Sequence, residues 1–215
     1  MSVTPFATFK MFESMRRRDP DCKSKLPARM LEASNTGTRK TAGVFTVTEP
    51  PPAMEEEFNA WYDTEHLAER LAIPGFRSAL RWTLDGASGA GKYLATYELD
   101  SAAVLDSPDY LARYNNQSPW SRRCLAKTVV FKRWACEQVE PGAADPHPLA
   151  KALLFIAADR PVGELAVPGA LQTRRFVASA GDPRHIALIE LAQATGNLPA
   201  LRPGWLLHRY RAYAA

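Results

Sequence analysis

Between Phe58 and Leu71 the chain carries a phenol, an imidazole, a guanidinium and several carboxylates at helical spacing. Tyr62, His66 and Arg70 stand at i, i+4 and i+8, and Phe58, Trp61 and Glu65 form the adjoining row. An imidazole titrates near neutral pH and suits proton transfer in a partly buried pocket. A guanidinium beside it can hold a carboxylate or a developing enolate. The candidate catalytic residues are therefore His66, Arg70 and Glu65. Against this stands the plainer reading of a helix-packing histidine, a salt-bridged Glu65 and an Arg70 paired with a glutamate. Asp63 is the weaker carboxylate candidate.

A helix must carry this row and a sheet must face it. Val44 to Thr48 is a β-branched run halted by Glu49-Pro50-Pro51-Pro52, since proline lacks the donor a ladder needs. Glu55 to Leu71 reads as one helix, with three glutamates in its first turn and Pro74-Gly75 after its end. Arg77 to Leu84 and Tyr93 to Leu99 read as a hairpin across the glycine-rich stretch Asp85 to Gly91. That stretch leads into no helix and is no phosphate cradle. Ser101 to Tyr114 with Pro119 to Arg123 predicts a broken second helix, and Thr128 to Cys136 a fourth strand. The order βαββαβ puts both helices on one face of an antiparallel sheet, so the other face needs cover. Arg81 and Tyr97 fall on the middle strands and Trp120 on the broken helix. With Trp61 and Tyr62 they are the candidate substrate-binding residues, the plainer role for Trp120 being a core anchor.

The cover is in the same chain. Pro74-Gly75 through Arg81-Trp82 recurs at an offset of 94 as Pro168-Gly169 through Arg175-Phe176. Lys92 to Leu99 matches Arg184 to Leu191 after a loop two residues shorter, and Val130 to Trp134 matches Leu206 to Tyr210. We read a tandem α+β fold: a ferredoxin-like unit over 41–139, a Pro-rich linker over 140–150 and a reduced second unit over 151–215. The two sheets are expected to lie face to face. Residues 1–40 read as a basic, weakly ordered tail.

Charge and cysteine usage exclude several functions. Residues 1–40 hold nine Lys or Arg against four Asp or Glu, which leaves the body near neutral, with eighteen against nineteen. No basic face with interleaved aromatics follows residue 41, so nucleic acid is not an expected partner. Cys22, Cys124 and Cys136 form no CxxC pair, and His147, His185 and His208 have no metal-ligand spacing, so no metal is expected. No apolar run approaches the ~20 residues a membrane helix needs. The expectation is a cytoplasmic monomer or homodimer acting on a small molecule.

The pattern of Phe58, Trp61, Tyr62, His66 and the later Pro74-Gly75 resembles the EthD-like branch of the dimeric α/β-barrel superfamily. The resemblance spans residues 43–139, with the second copy matching in outline, and Leu67-Ala68 follows His66 where relatives commonly have a proline. It implies a pocket between helix and sheet and a choice among isomerases, lyases, dehydratases, cofactor-free monooxygenases and haem enzymes. The expectation is a cofactor-independent enzyme of the isomerase, lyase or dehydratase type on an apolar or aromatic oxygenated substrate. The alternatives are a cofactor-free monooxygenase and a non-catalytic protein holding a hydrophobic ligand or haem, with His66 as axial ligand in the haem case. A purely structural domain would have that pocket filled by side chains.

Overall fold

The computed structural model describes residues 40–86, 91–196 and 198–214, all within one unit from Thr38 to Ala215. The expected tail, except Lys40, lies outside the described residues, as does Cys22. Among the described residues eight strands form: β1 (Ala42–Glu49), β2 (Phe76–Leu84), β3 (Tyr93–Leu99), β4 (Val130–Glu140), β5 (Ala152–Ala158), β6 (Ala170–Ala180), β7 (His185–Leu191) and β8 (Trp205–Ala212). They close into one antiparallel barrel in the order β1-β3-β2-β8-β5-β7-β6-β4. Expected as two stacked sheets, the halves also join edge to edge, through β2 with β8 and β4 with β6. Closure removes the free edges that two separate sheets would expose.

Strand order 4-1-3-2 in the first half recurs as 8-5-7-6 in the second. The register recurs as well. Trp82 pairs with Leu94 as Phe176 pairs with Ile186, and an irregularity between Phe76 and Ser78 is repeated between Ala170 and Gln172. The terminal strands correct the sequence alignment. Phe45 pairs with Trp134 while Phe155 pairs with His208, so Trp134 corresponds to His208 and not to Tyr210. The aromatic match had slipped by two residues, which a strand hides because a shift of two keeps every side chain on its face.

Inward residues fill the barrel. Phe45 meets Phe176 edge-on at 4.9 Å and Phe155 at 6.4 Å, and Trp134 meets Phe155 at 5.2 Å between ring centroids. The interior is therefore a core and not a channel. At one end lies a polar lock. Arg174 bonds Glu98 at 2.9 Å and Glu190 at 2.7 Å, with all three side chains no more than 2% exposed. Glu190 also accepts from Gln172 and from the His147 N–H. The segment read as a linker is thus a strap pinned across the barrel end, and β4 runs to Glu140 before it begins. Burial pushes Glu98 toward its protonated form, partly opposed by Arg174.

The outer faces differ. On the first half lie α1 (Glu55–Trp61), a π-helical turn (Tyr62–His66), α2 (Leu67–Leu71), α3 (Pro108–Asn115) and α4 (Pro119–Lys127). The single α-helix expected over 55–71 is therefore interrupted by one wider turn, in the stretch that carries the candidate site. Ser107 and Ser118 cap α3 and α4, each followed by proline at the first helical position. Gly75 ends the α2 turn at φ +92°, and a Cβ there would stand 2.5 Å from Val104 Cγ2, so only glycine fits. Over the second half, loop residues Val162, Leu165 and Val167 pack with Trp205 and Leu207 of β8 against Leu154, Ile156 and Ile189. No helix occurs there among the described residues. No helix among them is long and apolar enough to cross a membrane.

Removing the cation of the lock strands two buried carboxylates. Arg174→Met is expected to cost roughly 3–5 kcal/mol in urea unfolding. A loss under about 1 kcal/mol would show that the lock holds nothing together.

Candidate functional site

The outward face of β3 presents Tyr93, Ala95, Tyr97 and Leu99 to the α1–α2 face, and Phe58, Trp61 and Tyr62 bury against them. The wider π turn leaves the expected row in place: Tyr62 and Arg70 are buried and His66 is partly buried between them. The His66 ring lies 4.4 Å from the Trp61 ring, 4.9 Å from Tyr62 and 6.5 Å from Tyr97. Its Nδ1 is sealed from solvent and has no hydrogen-bond partner. Burial, then the charges of Arg70 and Arg81, push its pKa down to about 3, so the imidazole is neutral at physiological pH.

Arg70 is 9% exposed. Among the described residues its guanidinium has no carboxylate partner; it faces the Tyr110 ring at 5.9 Å, and its buried Nε bonds nothing. Trp120 packs at the margin of the same layer with its buried Nε1 also unpartnered. Tyr97 donates to the Tyr62 oxygen at 3.4 Å, and burial raises the pKa of both phenols. Three unpartnered polar atoms thus belong to one aromatic layer, where each costs about 1–3 kcal/mol if nothing satisfies it.

Glu65 has a structural tie. It accepts from the Ser118 hydroxyl at 2.5 Å and the Ser121 hydroxyl at 3.2 Å, while Ser121 Oγ accepts from Trp61 Nε1 at 3.0 Å. The carboxylate therefore fixes the start of α4 and, through it, the Trp61 indole. Arg81 is held from all sides. It bonds Asp63 at 2.5 Å and Asn59 at 2.6 Å, and the Tyr213, Tyr62 and Tyr93 rings lie 3.9, 4.5 and 5.2 Å from its guanidinium carbon. Asp63, the weaker candidate in sequence, is the anchor of that arginine. Neither Asn59 nor Tyr213 was a sequence candidate: the helical spacing of Asn59, one turn before Asp63, is a signal that could have found it, whereas Tyr213 is distant in sequence and gave none. Cys124 and Cys136 are buried with their thiols pushed up by burial, Cys124 to about 11.

The hollow expected between helix and sheet is filled by Phe58, Trp61, Tyr62 and Tyr97 themselves, since these rings pack against one another and against Tyr93. The cavity lies on the other side of Arg81. A cleft of about 730 Å³ runs along β2 at its seam with β8, bordered by Leu67, Leu80, Arg81, Trp82, His147 and Tyr213. Of the predicted site residues Arg81 lines it, with Asp63, the weaker carboxylate candidate; His66, Arg70, Tyr97 and Trp120 do not.

No family model and no curated protein matches the chain. Solved structures do. One described as an anthrone oxidase-like protein aligns with TM-score 0.54 and 10% identity, covering 82% of this chain and 92% of that one. A protein provisionally described as a chlorite dismutase aligns at 0.49, with 8% identity over 81% and 95% of the two chains. A mutant chlorite dismutase from Candidatus Nitrospira defluvii aligns at 0.41, with 10% identity over 71% and 77%. At such identities the likeness is one of fold alone, and the fold of this chain is a closed eight-stranded antiparallel barrel with helices over its first half.

A histidine whose folded pKa lies below its unfolded value near 6.5 contributes stability above that pH and loses it as pH falls toward about 3. Between pH 7 and pH 4.5 the protein is expected to lose about 2 kcal/mol more than His66→Gln does in urea unfolding. Identical losses would place the imidazole in water.

Proposed function

We propose that the chain is a cofactor-independent enzyme that moves a proton on an apolar or aromatic oxygenated small molecule, as an isomerase, lyase or dehydratase does. The observation that carries this is Arg70, a buried cation without a carboxylate among the described residues, next to a neutral imidazole. A desolvated charge costs several kcal/mol unless an anion compensates it, and a substrate enolate or phenolate supplies that anion. His66 takes the proton from a C–H or O–H, and the electron pair stays on the substrate oxygen, facing Arg70. In the free protein burial, Arg70 and Arg81 oppose an imidazolium; with the substrate anion formed, the total charge of the site is unchanged, so transfer and stabilisation occur together. Returning the proton to another atom completes an isomerisation. Delivering it to a departing hydroxide releases water.

In this reading Trp61, Tyr62, Tyr97 and Trp120 form the apolar surroundings, Arg81 borders them, and Glu65 positions Trp61 without touching substrate. Leu67 and Trp120 are the partly buried side chains whose movement admits the substrate. The repeated strand order and register support an origin by tandem duplication, with the chemistry kept in the helical half. The EthD-like pattern of residues 58–75 supports the same placement of the site.

The anthrone oxidase-like neighbour favours a second reaction within the same reading, a cofactor-free monooxygenase in which the substrate carbanion supplies the electrons and adds to dioxygen, and the hydroperoxide so formed loses water to leave a carbonyl. Haem fits less well. Rings stand within 5 Å of the His66 imidazole on the Trp61 and Tyr62 sides, and the large cleft does not reach it, so no planar slot opens at its nitrogen. Non-catalytic binding of a hydrophobic ligand uses the same layer without the proton step. The filled layer is also what a purely structural domain would show, and the unpartnered His66 Nδ1, Arg70 Nε and Trp120 Nε1 are what argue against that reading.

Proton abstraction is measurable without knowing the natural substrate. In D2O the protein is expected to speed deuterium exchange beside the carbonyl of 2-tetralone, followed by NMR, and His66→Ala and Arg70→Gln each to lower that rate by roughly 100-fold. Undiminished exchange in His66→Ala removes the histidine from the mechanism, and tight binding without exchange favours the non-catalytic reading.

A further inference from the structure

The two seams of the barrel are built from corresponding strands and end differently. On β6, Arg174 points inward, is 1% exposed and is covered by the strap that follows β4. The corresponding position on β2, at the repeat offset of 94, is Leu80. Leu80 shares the inner face of β2 with the buried Trp82 and Leu84, yet it is 40% exposed. β2 pairs with β8 over Trp82 to Leu84, and one backbone bond at each end, from the Tyr213 N–H to the Arg81 oxygen and from the Asp85 N–H to the Arg209 oxygen, closes the seam. Beyond Arg81 the wall opens into the cleft, with β2 on one side and strap residues 145–150 on the other. Since the companion seam is sealed, the opening is a property of these residues and not of barrel closure.

The chemistry along the cleft is specific. Its back is apolar, from Leu80, Trp82 and Ala150. Its charges are already matched: Arg81 with Asp63, and Arg77 with Asp145 at 2.5 Å, an ion pair that ties β2 to the strap. An ionic ligand would find no free counter-charge there. Two further polar side chains, Ser78 and His147, border it. His147 Nδ1 accepts from the Leu149 N–H at 3.2 Å, which leaves Nε2 as the donor of the ring, and the residue borders the cleft half-buried. A volume of about 730 Å³ lies within the roughly 300–1,000 Å³ of small-molecule sites.

We propose that this seam cleft is a second small-molecule site, separate from the His66–Arg70 layer, that takes an uncharged aromatic compound bearing one carbonyl or similar acceptor. The aromatic body covers Leu80 and the Trp82 edge, and the acceptor receives the His147 Nε2–H. This site does not depend on the proton-transfer reading. The layer beside Arg70 selects negative charge, and the cleft selects neutrality.

The neutral naphthyl ketone Prodan is a suitable probe, because its emission moves to the blue when it leaves water. It is expected to bind the full chain with one-to-one stoichiometry and blue-shifted emission. Leu80→Trp, which fills the cleft from β2, is expected to weaken binding at least about tenfold, and Ala212→Trp, from the β8 side, to do the same. His147→Ala is expected to weaken it several-fold, whereas Arg70→Gln leaves it unchanged. Circular dichroism of each variant checks that the barrel is intact. Prodan binding that ignores both tryptophan substitutions overturns the proposal, as does binding lost in Arg70→Gln and kept in Leu80→Trp. Failure of the tetralone exchange leaves these outcomes as they are, so the two readings fall separately.

Discussion

The structure depends on burying the inner faces of two four-stranded halves against each other. Each half alone leaves an apolar sheet face in water, and at roughly 25 cal/mol per Å² that exposure outweighs any surface ion pair in the molecule. Phe45 and Trp134 from the first half meet Phe155 and Phe176 from the second, so neither core is complete without the other. Once the interior is filled, no ligand can be held inside the barrel. Chemistry is confined to the outer layer under the helices and to defects in the wall.

Both places show the same economy. The outer layer of the second half is closed by loop residues and buries mainly aliphatic side chains. That of the first half buries tyrosines, tryptophans, a histidine and an arginine, and leaves polar atoms without partners. A layer needed only for cover would not retain a desolvated guanidinium, since a leucine or methionine there costs less. The seams divide likewise: one is locked by Arg174 between Glu98 and Glu190, the other is open at Leu80. Related positions thus serve stability in one half and leave room for ligands in the other.

Much of this was legible in the sequence because periodicity and turn chemistry agree. The β-branched runs, the Pro-Gly after the helix and the offset of 94 gave the strands, and the row Tyr62, His66, Arg70 gave the buried face of the helix. Three features were hidden for physical reasons. A π turn adds one residue to a helix without altering its composition, so the interruption at Tyr62–His66 has no sequence signature. The strap contacts depend on Glu190, 43 residues from His147, and no local pattern reports so distant a hydrogen bond. The filled layer was missed because aromatic residues that could wall a pocket can equally fill it, and composition does not distinguish the two. The cleft required the loss of strand pairing beyond Arg81, which follows from how the halves meet.

The central claim is that Arg70 and a neutral His66 await a substrate anion. It is tested most directly by 15N NMR of the His66 side chain across pH 4–8, with and without 1-hydroxy-2-naphthoate as an aromatic anion. The account predicts a neutral imidazole throughout the range in the free protein, and a raised pKa with a changed Nδ1 shift once the anion sits beside Arg70. A ring that titrates near 6.5 in the free protein and ignores the anion would contradict it.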